Sequence, residues 1–266
     1  MASLSVIVIT KNEAHNIAAC LQSVSFADQL VVLDSGSRDG TLDIAETLGS
    51  EVSENLDWQG FGVQKNRALE LARGDWVLSI DADERVTPSL RAEIMAALAA
   101  PAFDAYSFPR LSSYCGQYMR HSGWYPDRVT RLFKRNTAQF SGELVHEKII
   151  TSRQVGQLTS PLLHESFTGF EAVLDKANRY SSAGAQMLFA RGKTASLGKA
   201  LAHGAWALFR TYILKRGFLD GRMGLILAIS NAEGTYYRYL KLWLLCQQQK
   251  IENQQLAGNS SKPPLE

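Results

Sequence analysis

Three apolar runs near the start of the chain constrain the fold more than any other feature of this sequence. They are LSVIVIT over 4–10, QLVVLDS over 29–35 and DWVLSID over 75–81, all rich in β-branched residues. Strands that are apolar along nearly their whole length are typical of a parallel sheet covered on both faces. The runs therefore predict interior strands of an α/β protein.

Helical segments separate these strands, and their ends can be read from the sequence. Asp39 precedes TLDIAETLG, which stops at Gly49, and VQKNRALELARG stops at Gly74. Thr87 and Pro88 open PSLRAEIMAALAA with an N-cap residue and a proline at the first helical position. The order βαβαβα with right-handed crossovers predicts an open, doubly wound sheet, which binds ligands at the carboxyl ends of its strands.

The pattern changes further along the chain. Shorter strands are predicted from about 104 to 165 as an extension of the same sheet, and helical spacing returns from 170. The end of the chain, ENQQLAGNSSKPPLE, has the composition of a disordered tail. We therefore predict a first domain over 1–168, a helical region over 169–250 and a disordered tail over 251–266.

The bulk composition favours a protein of a reducing compartment. Cys20, Cys115 and Cys246 lack the spacing of a zinc site or a disulfide framework. The N-terminal apolar run of about six residues is too short for the core of a signal peptide. No stretch approaches the roughly 20 uncharged residues of a spanning helix, so we expect a soluble or peripheral protein.

Charge is distributed unevenly along the chain. Residues 1–175 hold 15 Lys and Arg against 22 Asp and Glu, whereas residues 176–250 hold 12 against 2. Over 197–247 the basic residues alternate with aromatic ones, which is typical of helices lying on an anionic membrane surface. Alternatively these helices cover the first domain or form a homo-oligomer, because LILAI and LWLL could be core. The acidic body argues against nucleic acid as a partner.

Polar residues collect where the predicted strands end, as TKNE, DSGSRDG and DADE. Turn formation explains Ser35 and Gly36 without any ligand, but it does not explain three acids, Asp34, Asp81 and Asp83, at one edge. Neither GxGxxG nor GxxxxGK[ST] follows the first strand, so phosphate is not cradled by glycine. On an extended backbone Asp81 and Asp83 point the same way, and they could face one divalent cation that bridges phosphate oxygens.

Four segments in this order and spacing resemble family 2 glycosyltransferases of the GT-A fold: SVIVITKNEAHNI, VVLDSGSRDGT, QKNRALELARGDWVLSIDADE and RLFKR with GELVHE. More narrowly, they resemble the bacterial lipopolysaccharide core β-glucosyltransferase group, over roughly residues 3–245. The resemblance implies an α/β, Rossmann-like GT-A fold: a mostly parallel central sheet flanked by helices, with a C-terminal helical extension. Residues 1–168 would then form the nucleotide-sugar-binding and catalytic domain.

The resemblance also implies roles for individual residues. The expected nucleotide-sugar contacts are Thr10, Asn12, Glu13, Asp34, Lys65, Asp81, Ala82 and Arg131. Asp83 and His164 are the expected ligands of Mn²⁺ or Mg²⁺. Glu147 is the first candidate for the general base and Glu143 the second, although this sequence has His-Glu where many relatives have Glu-Asp.

Several of these residues have a plain structural alternative. Lys65 could be an exposed helix lysine, and Arg131 could form a salt bridge that holds its strand. His164 could be a hydrogen-bonded structural histidine. Glu84 is better interpreted as an acid in the first turn of a helix than as a ligand. Trp124 and Tyr125 suit a sugar platform or ordinary packing equally well.

The implied function is inverting, metal-dependent transfer of a sugar, with glucose as first candidate, from a UDP-sugar to a lipid-linked acceptor of the lipopolysaccharide inner core. The expected location is cytoplasmic and peripheral, on the inner face of the cytoplasmic membrane. One alternative is a polyprenyl-phosphate or other cell-envelope glycan glycosyltransferase. Another, from a different class, is a non-catalytic protein that binds a nucleotide sugar.

Overall fold

A computed structural model describes residues 2–142 and 148–260 of the chain. It divides into two compact units. The first comprises Met1–Ser113 and Tyr125–Ser166, and the second comprises Tyr114–Trp124 and Phe167–Glu266. The segment 114–124, which we placed in the first domain, therefore belongs to the second unit.

Strands and helices alternate through the first part of the chain. The strands are β1 Leu4–Thr10, β2 Gln29–Asp34, β3 Glu51–Glu54, β4 Trp76–Ser79, β5 Glu84–Val86, β6 Ala105–Tyr114, β7 Gln117–Tyr118, β8 Asp127–Lys134, β9 Gln139–Phe140, β10 Ile149–Ile150, β11 Val155–Gln157 and β12 Leu162–His164. The helices are α1 Ile17–Ser23, α2 Thr41–Thr47, α3 Phe61–Glu70, α4 Pro88–Ala99, α5 Phe170–Ala190, α6 Leu197–Phe209 and α7 Gly221–Ser260.

The main sheet of the first unit has the strand order β3-β2-β1-β4-β8-β6-β12-β5. The first four of these strands are parallel, and β8 joins them antiparallel to β4. On the other side of β8, β6 is antiparallel to β8 and parallel to β12. The carboxyl ends of β1, β2 and β4 therefore meet at one edge, as the sequence predicts.

Both faces of the parallel part of the sheet are covered. On β1, Val6 and Val8 belong to one apolar cluster that includes Ile17 of α1 and Leu90 of α4. Ile7, between them, belongs to a second cluster. Because successive strand residues face opposite sides, the uninterrupted apolar pattern of β1 follows directly from burial on both sides.

The start of α4 agrees with its predicted signal. Thr87 is the N-cap, and its hydroxyl oxygen accepts a hydrogen bond from the amide of Leu90 at 3.1 Å, with Pro88 at the first helical position. The same hydroxyl donates to the carbonyl oxygen of Pro161 at 3.0 Å. Thr87 thus caps α4 and also holds the segment before β12 against the start of this helix.

The second unit is built around α7, which packs against α5 and α6. Asp220, just before α7, is 6% exposed and accepts hydrogen bonds from the amides of Arg120 and His121 and from the hydroxyl of Ser122. A long-range polar anchor therefore holds the segment 114–124 in this unit. Nothing in the local sequence of that segment indicates this anchor.

Helix α7 continues to Ser260, into the segment 251–266 that we predicted as a disordered tail. Residues 261–266 lie outside the described part of the chain. None of the helices within 2–142 and 148–260 combines the length and apolar content that crossing a bilayer requires.

Candidate active site

The acidic segment after β4 forms a tight turn that leads into β5. The amide of Glu84 donates to the carbonyl oxygen of Asp81 at 2.9 Å. The amide of Asp81 in turn donates to a carboxylate oxygen of Glu84, also at 2.9 Å. Because the chain turns at Ala82 and Asp83 instead of staying extended, the two aspartates face different partners.

Asp81 lies between two cations. Lys65 Nζ is 2.7 Å from one of its carboxylate oxygens, and Arg131 Nη2 is 2.5 Å from the other. Arg131 Nη2 also lies 3.0 Å from Glu84 Oε1, which Arg110 approaches at 3.5 Å. Two carboxylates and three cations therefore form one connected network.

Burial and charge act in opposite directions in this network. Burial raises the pKa of the Asp81 carboxyl, but the charges of Arg131 and Lys65 outweigh it and hold that pKa well below its usual range. Burial also raises the pKa of Glu84, and attraction to Arg131 offsets this only in part. Asp81 is thus a firmly ionised group that fixes two cations.

The burial of these side chains distinguishes between the roles predicted for Lys65, Arg131 and Glu84. The side chain of Lys65 is only 3% exposed, which excludes an exposed helix lysine. Arg131, 9% exposed, forms the salt bridges of the structural alternative. Glu84 is fully buried and begins β5, so the prediction of an acid in the first turn of a helix is wrong. The local sequence suggests the start of a helix at Glu84, but the chain forms a short strand, β5, before α4.

Asp83 pairs with a histidine from β12. His164 Nε2 lies 3.2 Å from a carboxylate oxygen of Asp83, and the other ring nitrogen, Nδ1, is 2.9 Å from the hydroxyl of Ser112. Both side chains are partly exposed, at 29% for Asp83 and 17% for His164. Asp81 pairs with Lys65 and Arg131 instead of sharing a partner with Asp83, and metal binding at either aspartate stays a prediction.

The Asp83–His164 pair fits a divalent metal ion. A carboxylate oxygen and an imidazole Nε2 are donors that Mn²⁺ accepts, and a hydrogen bond at Nδ1 is the usual way to orient a ligating histidine. No group of three or more potential ligand side chains occurs in the described part of the chain. Phosphate oxygens and water would have to complete the coordination.

The end of β2 is tied to the loop that follows it. Asp34 is fully buried, and its carboxylate accepts hydrogen bonds from the amides of Gly36 and Ser37 at 2.7 and 2.6 Å and from the Ser37 hydroxyl at 2.5 Å. Gly36 has φ +91°, which only glycine adopts without strain. Both oxygens of Asp34 therefore order this loop, and a direct contact with uracil stays a prediction.

The end of β1 is hydrogen-bonded to the same loop. Asn12, with φ 56°, accepts from the amide of Arg38 at 2.9 Å, and its own amide donates to Ser37 Oγ at 2.7 Å. Glu13 accepts from the side-chain amide of Asn16 at 2.9 Å. Thr10 is buried, and its hydroxyl has no hydrogen-bond partner within the described residues, so a ligand at this edge could satisfy it.

Three expected site residues have different outcomes. Ala82 is 5% exposed and its carbonyl oxygen accepts from Arg85 at 2.8 Å, so it is packed in the turn. Glu143 and Glu147, the candidates for the general base, lie outside the described residues.

Comparison with known proteins identifies the family. The family model described as "Glycosyl transferase family 2" matches residues 5–154, which include all but the first residue of β1, the strands β2 to β10 and the acidic turn. The chain belongs to this family. Together with the sheet order of the first unit, the match confirms the predicted GT-A fold.

Two curated relatives of this glycosyltransferase are similar to it over nearly the whole chain. An uncharacterized glycosyltransferase of Rickettsia prowazekii is 31% identical over 255 residues, which is 91% of this chain and 87% of that protein. The lipopolysaccharide core biosynthesis glycosyltransferase LpsC of Rhizobium meliloti is 28% identical over 254 residues, covering 89% of this chain and 93% of LpsC.

Among solved structures, S. aureus TarS residues 1–349 with UDP-GlcNAc matches with a TM-score of 0.48 at 16% identity, covering 93% of this chain and 92% of TarS. Glucosyl-3-phosphoglycerate synthase of Mycobacterium tuberculosis matches at a TM-score of 0.36 and 26% identity, over 42% of this chain and 44% of that protein.

An open cavity of about 550 Å³ lies beside the acidic turn of this glycosyltransferase. Besides Asp81 and Asp127, its lining includes four basic residues: Arg110, Arg128, Arg131 and Lys148. A concave site with this excess of cations is suited to an anionic ligand. Within this lining Arg131 pairs with Asp81 and Arg110 with Asp127, so the positive excess comes from Arg128 and Lys148.

Sequence reasoning missed some residues of this site. Arg110 and Arg128 enter it because β6 pairs antiparallel with β8, and Ser112 because β6 lies beside β12. Alternating side chains on β6 and β8 could have indicated which residues share a face. Their pairing across the sheet could not be read from either strand alone.

Proposed function

We propose that this glycosyltransferase is metal-dependent and inverting, and that it transfers a sugar, with glucose as first candidate, from a UDP-sugar to a lipid-linked acceptor of the lipopolysaccharide inner core. The observation that supports this best is the basic cavity beside the acidic turn. The name of the Rhizobium relative, which covers nearly the whole chain, supports the acceptor class.

Different residues of the site would bind different parts of the donor. Thr10, Asn12, Glu13 and Asp34 form or order the edge at which the nucleotide would lie. Lys65 and Arg131, held in place by Asp81, would stand near the diphosphate together with the other cations of the cavity. Fixed cations stabilise negative charge as it grows on a leaving group.

Asp83 and His164 would hold the metal ion, with Ser112 orienting the histidine ring. Bound there, Mn²⁺ or Mg²⁺ supplies charge neutralisation at the diphosphate. In the transfer itself, a carboxylate base takes the proton of the acceptor hydroxyl, whose oxygen bonds to the anomeric carbon while the bond to UDP breaks. We propose Glu147 for this base and Glu143 as second candidate; such a base contributes a factor of about 10² to 10⁴.

The proposal is tested by a panel of nucleotide sugars with Mn²⁺ or Mg²⁺, measuring UDP release and thermal stabilisation. We expect one UDP-sugar to be consumed only when metal is present, and Asp83→Asn and His164→Ala each to lower turnover by about 10² or more. Asp43→Asn, an exposed acid on α2, is the matched control and should retain activity.

Two outcomes would favour the alternatives. Stabilisation by a UDP-sugar without turnover on any acceptor would indicate a non-catalytic binding protein. Transfer to a polyprenyl phosphate but not to lipopolysaccharide core saccharides would indicate a glycosyltransferase of another envelope glycan. If no nucleotide sugar is bound or consumed, the proposed donor is wrong.

A further inference from the structure

Exposed apolar side chains are concentrated in one part of the second unit. Among the described residues, 26 large apolar side chains are exposed, and 12 of them lie between residues 197 and 229. This segment comprises α6, a π-helical turn at Arg210–Leu214, a 3₁₀ turn at Gly217–Asp220 and the start of α7. We call its solvent-facing side the tip surface. Singly scattered apolar residues on a surface would not be concentrated in one segment of 33 residues in this way.

The large apolar residues of α6 face away from its helical neighbour. The buried positions of α6 are small, namely Ala200, Gly204 and Ala207. A Cβ at Gly204 would lie 3.1 Å from the Cβ of Tyr236 on α7, so the two helices approach closely through this stripe. Trp206 and Phe209, in contrast, are 54% and 46% exposed. In water-soluble bundles the large apolar residues face inward, and here the arrangement is reversed.

The charge of the tip surface is entirely of one sign. Between 197 and 229 the chain has five basic residues, all exposed: Lys199, Arg210, Lys215, Arg216 and Arg222. The one acid in this segment, Asp220, is buried and engaged by the amides of Arg120 and His121. The tip surface therefore presents cations and apolar side chains without any exposed carboxylate.

The backbone is closely packed at the turn that precedes α7. A Cβ at Gly224 would lie 1.8 Å from the carbonyl oxygen of Gly217, so only glycine allows α7 to start this close to the preceding turn. Phe218 and Leu219, 48% and 54% exposed, project from that turn. Both exposed residues thus lie on a closely packed turn.

We propose that the tip surface binds the face of an anionic lipid bilayer, with its apolar side chains inserted at the headgroup boundary and its basic residues at the lipid phosphates. Apolar residues and cations in this combination match the two attractions that hold a helix in a membrane interface. Each basic residue near an anionic bilayer strengthens binding roughly fivefold. A second copy of the same surface is a poor partner, because five cations would face five.

This inference deepens the proposed function, which requires a lipid-linked acceptor, but its test does not depend on catalysis. Flotation of the full chain is measured with vesicles of phosphatidylcholine and with vesicles containing about one third phosphatidylglycerol. We expect binding to the anionic vesicles only, weakened several-fold when the salt concentration rises from about 0.1 M to about 1 M.

The variant Leu214→Glu with Leu219→Glu should weaken vesicle binding at least about tenfold, because charged groups enter the apolar boundary. Leu244→Glu with Ile251→Glu is the matched control. These residues are similarly exposed, at 47% and 54% against 56% and 54%, but they lie about 35 Å or more along α7 from its start. The control should bind as the wild type does.

Three results would overturn the inference: no binding of the wild type to anionic vesicles, equal losses in both double variants, or a wild-type dimer in sedimentation that Leu214→Glu with Leu219→Glu separates. Metal-dependent consumption of the UDP-sugar in solution should be unchanged by either double variant. Absence of that activity in the wild type would instead refute the proposed function. Failure of the membrane inference and failure of the proposed function are therefore distinguishable.

Discussion

Replacing Arg131 should lower the free energy of unfolding of the first unit more than the loss of any surface ion pair would. Arg131→Met leaves Glu84, which is fully buried, with Arg110 at 3.5 Å as its remaining cation and the amide of Asp81 as its other donor. At the 3.0 Å separation of Arg131 and Glu84, a unit-charge pair attracts by about 5–6 kcal/mol at an effective dielectric constant of 20. Part of this is offset because the arginine no longer has to be desolvated.

The expected net loss in the free energy of unfolding is about 3–5 kcal/mol, the range for breaking one partner of a buried pair. With a urea m-value of about 2 kcal/mol/M, the midpoint should fall by roughly 1.5–2.5 M. Adding Glu84→Gln removes the uncompensated charge, so the double variant should recover about 1–2 kcal/mol relative to Arg131→Met alone. Unfolding is followed by circular dichroism at constant pH.

Arg73→Met is the matched control for this experiment. Arg73 pairs with Glu51 on the surface, where the two side chains are 70% and 49% exposed. Such a pair contributes below about 1 kcal/mol, so the control should shift the midpoint by less than about 0.5 M. Equal shifts for Arg131→Met and Arg73→Met, or simple additivity of Arg131→Met with Glu84→Gln, would refute the description of a coupled buried network.

Three smaller perturbations test other parts of the structure. Ser112→Ala removes the partner of His164 Nδ1 and should weaken Mn²⁺ binding in the presence of UDP about 10- to 100-fold by calorimetry; unchanged affinity would contradict the orienting role. Thr87→Ala should lower the free energy of unfolding by about 0.5–2 kcal/mol in urea, and Thr87→Ser should restore most of it. Gly224→Ala meets an opposing carbonyl oxygen and should cost about 1–3 kcal/mol in thermal unfolding, whereas Gly198→Ala, with open space around it, should not destabilise.

The parts of the fold that the sequence predicts are those fixed by local pattern. The three apolar runs became β1, β2 and β4 because burial on both faces demands apolar residues at every position. The N-cap at Thr87 was equally readable, since its partner is three residues away. Such signals need no knowledge of distant segments, and they place the acidic turn at the correct edge of the sheet.

Two of the departures from the predicted structure have the opposite character, since they depend on contacts between distant residues. Glu84 forms a buried ion pair with Arg131, 47 residues further along the chain. The segment 114–124 joins the second unit through Asp220, about 100 residues away. No periodicity or local composition encodes such partners. The sequence therefore indicates that the acids lie at the strand ends, but not which of their charges neutralise one another.

That neutralisation bears on how the site would act. Three acids at one strand end would repel one another, and the simplest prediction was a metal ion shared by Asp81 and Asp83. The protein instead supplies its own cations to Asp81 and Glu84 and leaves Asp83 beside His164. A diphosphate would then contact two separate positive groups: the side-chain cations of the cavity, and a metal ion held by Asp83 and His164. Removing metal should accordingly weaken turnover far more than donor binding, because the side-chain cations would still attract the diphosphate when the ion is absent.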